Sequence, residues 1–289
     1  MGGEASALPT AAVRSNPLST QRRPKAKAWW AAAVASANIL PGTPRDATRS
    51  AFAEIERGFA GVRDRAEQPS GLVRVTAPVA LGRQQIVPLL PAFLRAHPLV
   101  RIEIELSDRL SSLAREGFDL AIRHVELVPD THVAWLLCAT RSVLAASRAY
   151  LRRCGVPQAP ADLADHNCLH YLRDGAAPAW SFEPEGGVGA GRVSVAIRGN
   201  FAANNSEALR EAAIAGTGIA LLPDFSAARE LVAGRLTRVL PGWTPVGAFG
   251  SAIHAIRPPG LHTPRAVQAL VACLRDGLKA DPLAPEASG

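Results

Sequence analysis

Three stretches of the chain carry side chains whose types and spacing could do chemistry. In DHNCLH, residues 165–170, His166, Cys168 and His170 alternate in the manner of soft metal ligands. A tetrahedral site needs a fourth ligand at a workable spacing, and none follows, so a loop with structural histidines is the expected reading. Glycines 186, 187, 189 and 191 superficially resemble a dinucleotide loop. They lie between two candidate strands with no helix after them, which fits a hairpin tip better than a phosphate cradle. The chain has no GxSxG elbow, no HExxH pair, no Walker loop and no deaminase signature. Nothing therefore sets up an activated nucleophile or a metal, and the chain is expected to be no enzyme and to hold no metal or cofactor.

The third group is a set of polar residues at the ends of predicted strands: Thr76 with Pro78, Ser107 with Asp108 and Arg109, Arg123 with His124, and Asn204 with Asn205. Ligands of open parallel sheets sit outside the carboxyl ends of the strands, so this placement matters only if the fold gathers those ends. From Gly71 the pattern reads strand, helix, strand, helix, strand. The strands are LVRVT (72–76), VRIEIEL (100–106) and FDLAIR (118–123). One connecting helix runs through Ile86, Leu89, Leu90, Phe93 and Leu94, and a short one through Leu110, Leu113 and Ala114. Crossovers of this length force parallel strands in a right-handed unit.

A second unit begins at SVLAAS (142–147) and continues through a helix near Tyr150, strands at 180–184 and 193–199, the helix SEALREAAIAG (206–216), the apolar strand GIALLP (218–223), a helix from Ala227 to Val232 and the strand RLTRVL (235–240). The last strand, SAIHAI (251–256), and the helix from Thr263 to Leu278 complete the first lobe if the chain returns to it. Two crossings between lobes make a hinge. The expected organisation is one lobe from 71–141 plus 247–282 and another from 142–246.

Helix starts after Thr76 and after Asn205 place backbone N–H groups and positive dipole ends toward a cleft, with Arg123 nearby. That suits a small anion, and a carboxylate-bearing ligand is expected. Ordinary helix capping asks for Asn or Ser at the same positions, so the structural alternative stays open.

Composition sets the class. With 48% hydrophobic and 20% charged residues in 289, the chain can bury a substantial core. Its four cysteines form no close pair or repeat, which points to a reducing cytoplasm rather than a disulfide scaffold. The net charge is +7, and residues 1–70 hold ten Lys/Arg against six Asp/Glu, so the basic bias is mainly N-terminal. Residues 1–44, rich in Pro, Ser and Thr without helical or strand period, form an atypical head expected to be disordered or poorly packed. Within it, RRPKAKAWWAAAVASA (22–37) mimics a secretory signal, though it falls short of the roughly twenty apolar residues of a membrane span. No membrane association is expected. From 45 to 68, Phe52, Ile55, Phe59 and Val62 recur at helical steps between charged residues. This is an amphipathic helix with a stripe narrow enough to pair with another helix, or to pack on its own domain.

Taken in order, GLVRVTAP (71–78), PLLPAFLRAHPLVRIEIELSDR (88–109), LAREGFDLAIR (113–123), ANNSEALREAAIAGTGIALLPDF (203–225) and GRLTRVLPGW (234–243) resemble the effector-binding domain of LysR-type transcriptional regulators, near the glycine-cleavage-activator branch. The resemblance covers roughly residues 46–280. It implies an α/β fold of two Rossmann-like lobes joined by a two-strand hinge, of the type 2 periplasmic-binding-protein kind, preceded by a linker helix. It implies a small-molecule effector in the cleft, faced by Thr76, Pro78, Val79, Ser107, Arg123, Phe201, Ala203, Asn204 and Asn205. It also makes Phe52, Ile55, Phe59 and Val62 a dimerisation helix of a homodimer or homotetramer.

Two departures stand out. After Arg123 the family often has a small residue and Gly before Glu-Leu, where this chain has His124 and Val125, which bears on effector identity. The family also opens with about sixty residues of winged helix-turn-helix. The 44-residue head carries no Ala-Ala-x-x-Leu helix, no Ser-rich recognition helix and no Leu-Glu-x-x-Leu continuation, which leads to the expectation of a truncated or frame-disrupted reader. DNA is the family's partner, and this head puts operator binding by the chain in doubt; Arg22, Arg23, Lys25 and Lys27 with Trp29 and Trp30 could grip phosphate without selectivity. The competing reading is an extracytoplasmic solute-binding protein on the same fold, with residues 22–37 as its signal.

Overall fold

The computed structural model describes residues 68–109, 117–128, 130–172, 178–186, 191–260 and 262–280. The head, the candidate signal, the helix with Phe52, Ile55, Phe59 and Val62, and the short helix at Leu110, Leu113 and Ala114 lie outside the described residues.

The first lobe is built on a five-stranded sheet ordered β2-β1-β3-β13-β4. Strands β1 (Gly71–Ala77), β2 (Val100–Leu106) and β3 (Leu120–Val125) run parallel, with Gly71 opposite Val100 and Val75 opposite Leu120. Between β1 and β2 lies the helical segment α1, made of Val79–Leu81, a π-turn at Gly82–Ile86, a 3-10 turn at Val87–Leu89 and a regular helix at Leu90–Ala96. Pro88 and Pro91 each withhold an N–H, which accounts for the irregular middle. The edge strand β2 alternates apolar residues with Arg101, Glu103 and Glu105, and exposed charge blunts such an edge against pairing with other chains.

Strands β4 (Val133–Ala139) and β13 (Ala252–Arg257) close the sheet antiparallel. Helix α5 (Arg265–Ala280) packs Ala266, Val267, Leu270, Val271, Leu274 and Leu278 against Val73, Val75, Leu120 and Ile253. Each such Leu or Ile contributes about 1.5–3 kcal/mol on burial. β4 was not among the expected strands. Its apolar residues show no clean alternation, so the strand period is hidden even though Pro129 and Asp130 precede it.

The second lobe uses a sheet ordered β11-β5-β10-β6-β9, with β5 (Ser142–Ala146), β6 (Cys168–Tyr171), β9 (Ala202–Ala203), β10 (Ile219–Pro223) and β11 (Thr237–Val239). Strand period decides its two cores. Leu144, Ala146, Ile219 and Leu221 face one side with Tyr150 of α2 (Arg148–Cys154), while Val143, Ala145, Ala220 and Leu222 face the other with Leu209 and Ala213 of α3 (Ser206–Ile214). Helix α4 (Asp224–Val232) starts directly from β10. A side sheet pairs β7 (Ala179–Pro184) with β8 (Val193–Ala196) and β12 (Trp243–Val246). The β7–β8 pair is the expected hairpin; β8 is shorter than 193–199, and Arg198 instead bridges to Asn167.

One expectation is corrected here. Cys168 and His170 stand on β6, not in a loop: Cys168 is fully buried with its thiol on the Leu163 carbonyl, and His166 Nδ1 meets the Tyr150 hydroxyl at 3.1 Å. Among the described residues no helix is long and apolar enough to cross a membrane.

Candidate functional site

Both chain crossings between the lobes are tied down. The first leaves β4 through Thr140 and Arg141 into β5, and the second returns through Phe249 to Ser251 into β13. Thr140 N donates to the Ser251 carbonyl at 2.9 Å. Asp224, the first residue of α4, accepts from the Thr140 hydroxyl at 2.6 Å, from Arg141 N at 3.0 Å and from Phe225 N at 2.8 Å. Burial holds its carboxyl above the usual carboxylate range, and those three donors oppose the shift. Phe225 then crosses over: it belongs to the second lobe by chain position yet packs in the core of the first.

Above this hinge the segments that follow β1 and β2 meet the start of α3. Asp108, just past β2, is the point of contact. Its Oδ1 accepts Val79 N at 3.1 Å, at the start of α1, and its Oδ2 accepts Asn205 Nδ2 at 2.7 Å from the other lobe. Asn205 works twice, because its Oδ1 also caps α3 by accepting Glu207 N at 2.8 Å and Ala208 N at 3.3 Å. Two residues on, the Glu207 carboxylate takes Arg83 at 3.0 Å and Gln84 at 3.0 Å, both from α1. A hydrogen bond to a charged group contributes about 1.5–3 kcal/mol. The Arg83 pair is solvated on the arginine side, and such a pair contributes roughly 0–1 kcal/mol.

Thr76 and Arg123 meet below. Thr76 is fully buried and accepts Arg123 Nη2 at 3.1 Å, while Nη1 donates to the Ile122 carbonyl at 3.0 Å. Ser107 accepts Arg109 N at 3.2 Å, and its own N–H donates to the Ala77 carbonyl at 2.9 Å. These contacts correct one expectation. The N–H groups of Val79, Glu207 and Ala208 are taken by Asp108 and Asn205, so they do not stand free in the cleft. Phe201 and Ala203 support the second sheet, with their carbonyls accepting His170 N and Leu172 N. Asn204 is exposed beside them.

An aromatic group that sequence reading did not assemble joins the lobes nearby. His124 stacks on Phe249 with ring centroids 5.5 Å apart and 9° between planes, and meets Phe225 edge-on at 6.0 Å. Phe249 in turn meets Tyr171, at the end of β6, edge-on at 4.9 Å. His124 Nε2 lies 2.6 Å from the Gly250 carbonyl, so that nitrogen carries the proton. Burial pushes the imidazole down to about 4, against opposing pulls from that carbonyl and Glu126, and the ring is neutral at physiological pH. Burial also pushes the Tyr171 phenol up, Asp108 adding to the shift and a bond with Ser206 opposing it. Outside the expected effector-facing residues, Asp108 and His124 were visible as strand-end residues, whereas Arg83, Gln84, Tyr171, Glu207 and Phe249 gave no local signal.

Residues 66–279 match the LysR substrate binding domain. The transcriptional regulator PtxR of Pseudomonas aeruginosa is 34% identical over 233 residues, spanning 79% of this chain and 71% of its own length. The transcriptional activator TtdR of Escherichia coli (strain UTI89 / UPEC) is 32% identical over 175 residues, and this match spans 60% of the chain and 55% of TtdR. In fold, the chain is similar to the regulatory domain of CrgA from Neisseria meningitidis, with a TM-score of 0.62 at 24% identity over 73% of this chain and all of that one. It is likewise similar to full-length AphB of Vibrio cholerae, with a TM-score of 0.63 at 24% identity over 77% and 74% of the two chains. The two sequence relatives are named as regulators of transcription, neither as an enzyme nor as a solute-binding protein. A two-lobed sheet pair with a tied double crossing, matched along three quarters of its length by this domain family, makes the chain a member of the LysR family of transcriptional regulators that carries the family's substrate-binding domain.

Proposed function

We propose that the chain is a cytoplasmic, effector-responsive regulator whose small-molecule ligand enters between the lobes and carries a carboxylate. The observation that carries this reading is the pair of donors converging on Asp108: a backbone N–H from one lobe and the Asn205 amide from the other both satisfy a carboxylate at one point. A ligand carboxylate has the same two acceptor oxygens and competes for the same donors. Thr76, Pro78, Val79, Ser107, Arg123 and the turn from Phe201 to Asn205 border that point in this reading. The aromatic group of His124, Tyr171, Phe225 and Phe249 offers an apolar flank for the rest of the molecule.

The test is a panel of aliphatic carboxylates, amino acids and aromatic acids, each titrated against the melting of the full chain. A ligand at one hundred times its Kd stabilises the fold by about 2.7 kcal/mol. Saturable stabilisation by members of one acid class supports the reading; a flat response across the panel removes it.

Regulation also needs assembly and DNA. We assign homodimer or homotetramer formation to the segment expected from its sequence to be a helix bearing Phe52, Ile55, Phe59 and Val62, and test it by the sedimentation of the full chain against a chain beginning at Gly71. A salt-dependent titration of both chains with the upstream DNA and a scrambled duplex decides the reader. Sequence-selective binding by the full chain alone makes the head a reader; equal, weak and salt-sensitive binding to both duplexes makes the protein a sensor without one.

A further inference from the structure

Lobe closure has its own catch, and it sits on the first turn of α3. Asn205 and Glu207 are the residues of that turn whose side chains reach the opposite lobe, Asn205 to Asp108 and Glu207 to Arg83 and Gln84. Asn205 is chemically suited to be the pivot. Its oxygen is committed to the α3 N–H groups, which fixes the amide orientation and aims its nitrogen, a pure donor, at a pure acceptor. Asp108 is fixed in turn by Val79 N on its other oxygen. Neither partner can rotate to satisfy itself elsewhere without giving up a second bond. The tie is short, charge-assisted and partly buried, whereas the Arg83 pair beside it is exposed on the arginine side.

We infer that the Asp108–Asn205 bond is a latch that sets the closed population of the two lobes, with Glu207 as its weaker companion. This rests on the cleft being the effector site in one respect only: a ligand that takes Val79 N–H from Asp108 loosens the latch, so occupancy and lobe position are coupled through these two residues. The coupling acts on a two-state element, the orientation of α3 relative to α1, and not on the hinge ties at Asp224.

The experiment uses the full chain and no ligand. One spin label is placed on the exposed Cys154 of the second lobe and another at Leu99→Cys in the first, with Cys138 and Cys273 replaced by Ala, and the distance distribution is read by pulsed electron resonance. Asn205→Asp keeps the α3 cap, because Asp caps as well as Asn, but sets a carboxylate against Asp108. The expected result is a loss of about tenfold in the closed population relative to open, the change that accompanies 1.4 kcal/mol. Asn205→Ser, which also caps, shifts the distribution the same way by less. The exchanged pair Asp108→Asn with Asn205→Asp restores a donor facing an acceptor and returns the distribution to that of the parent. An unchanged distribution in Asn205→Asp, or failure of the exchanged pair to recover it while melting stays cooperative, overturns the latch. Neither result bears on which ligand the cleft takes, which the acid panel decides separately.

Discussion

Thr140 donates its hydroxyl to Asp224 at 2.6 Å, both side chains buried, and so the strand leaving the first lobe is fastened to the helix start that carries Phe225 back into it. The hinge is thereby a closed polar circuit rather than a loose linker. Asp224→Ala leaves the Thr140 hydroxyl and the N–H groups of Arg141 and Phe225 short of their acceptor, and each buried orphan costs about 1–3 kcal/mol. Urea unfolding is expected to show a loss of about 3 kcal/mol for Asp224→Ala and about 1–2 kcal/mol for Thr140→Val. A double-mutant cycle checks the pairing, since the two losses are expected to be less than additive.

How much of this was legible beforehand varies with the kind of contact. IALLP in β10 announced a strand buried on both faces by its unbroken apolar run, and the return of SAIHAI to the first sheet followed from the need to bury it. β6 escaped because His166, Asn167 and His170 make its stretch look like a polar loop, while the structure accommodates them individually: Tyr150 serves His166, and the Asn167 amide donates to Asn200 and the Thr217 carbonyl. The cleft residues divide in the same way. Thr76 and Ser107 are strand-end positions that topology alone locates, but Asn205 lies 97 residues from Asp108 and no local period links them. The expectation of free helix N–H groups failed for this reason. Asp108, a strand-end residue, fills the Val79 N–H, and Asn205 fills those of Glu207 and Ala208 as the ordinary cap that the sequence also allows.

Asn204 and Asn205 separate a structural asparagine from an exposed one. Asn205→Ala removes an α3 cap, a change that costs about 0.5–2 kcal/mol, and also the bond to Asp108. Asn204 is exposed, and surface substitutions of this kind stay within about 0.5 kcal/mol. Parallel thermal melts of the two alanine variants are expected to differ clearly, with only Asn205→Ala lowering the midpoint. Equal midpoints would remove the cap from the account of this turn.

Gly250 lets the second crossing lie directly on the end of β3. A Cβ placed there meets the Val125 carbonyl carbon at 2.1 Å and the Glu126 nitrogen at 2.6 Å, both backbone atoms that cannot turn aside. The same close approach sets the Gly250 carbonyl against His124. Gly250→Ala is expected to cost about 1–3 kcal/mol, the range for forced overpacking, and to free the His124 ring. Calorimetry gives the first number. A proton chemical-shift titration of His124 gives the second effect: the Gly250 carbonyl pulls the pKa up against burial, so losing that bond is expected to lower it further below the ordinary histidine value.

His124 makes stability depend on pH. Its folded pKa, about 4, lies below the unfolded value of 6.5, so between those values the unfolded chain binds the extra proton and the folded chain does not. Stability from this group is therefore complete above pH 6.5, declines as pH falls, and is lost by about pH 4. Each pH unit of separation is worth about 1.4 kcal/mol, which sets a ceiling of about 3 kcal/mol for the loss. His124→Phe keeps an aromatic ring beside Phe249 and Phe225 while removing the titrating nitrogen and the bond to Gly250. The variant is expected to be less stable than the parent at pH 7.5 and to show a shallower loss between pH 6.5 and 4.5 in denaturant titrations. An identical slope in parent and variant would assign the acid sensitivity to other groups, and would leave the stacked pair at the hinge as packing alone.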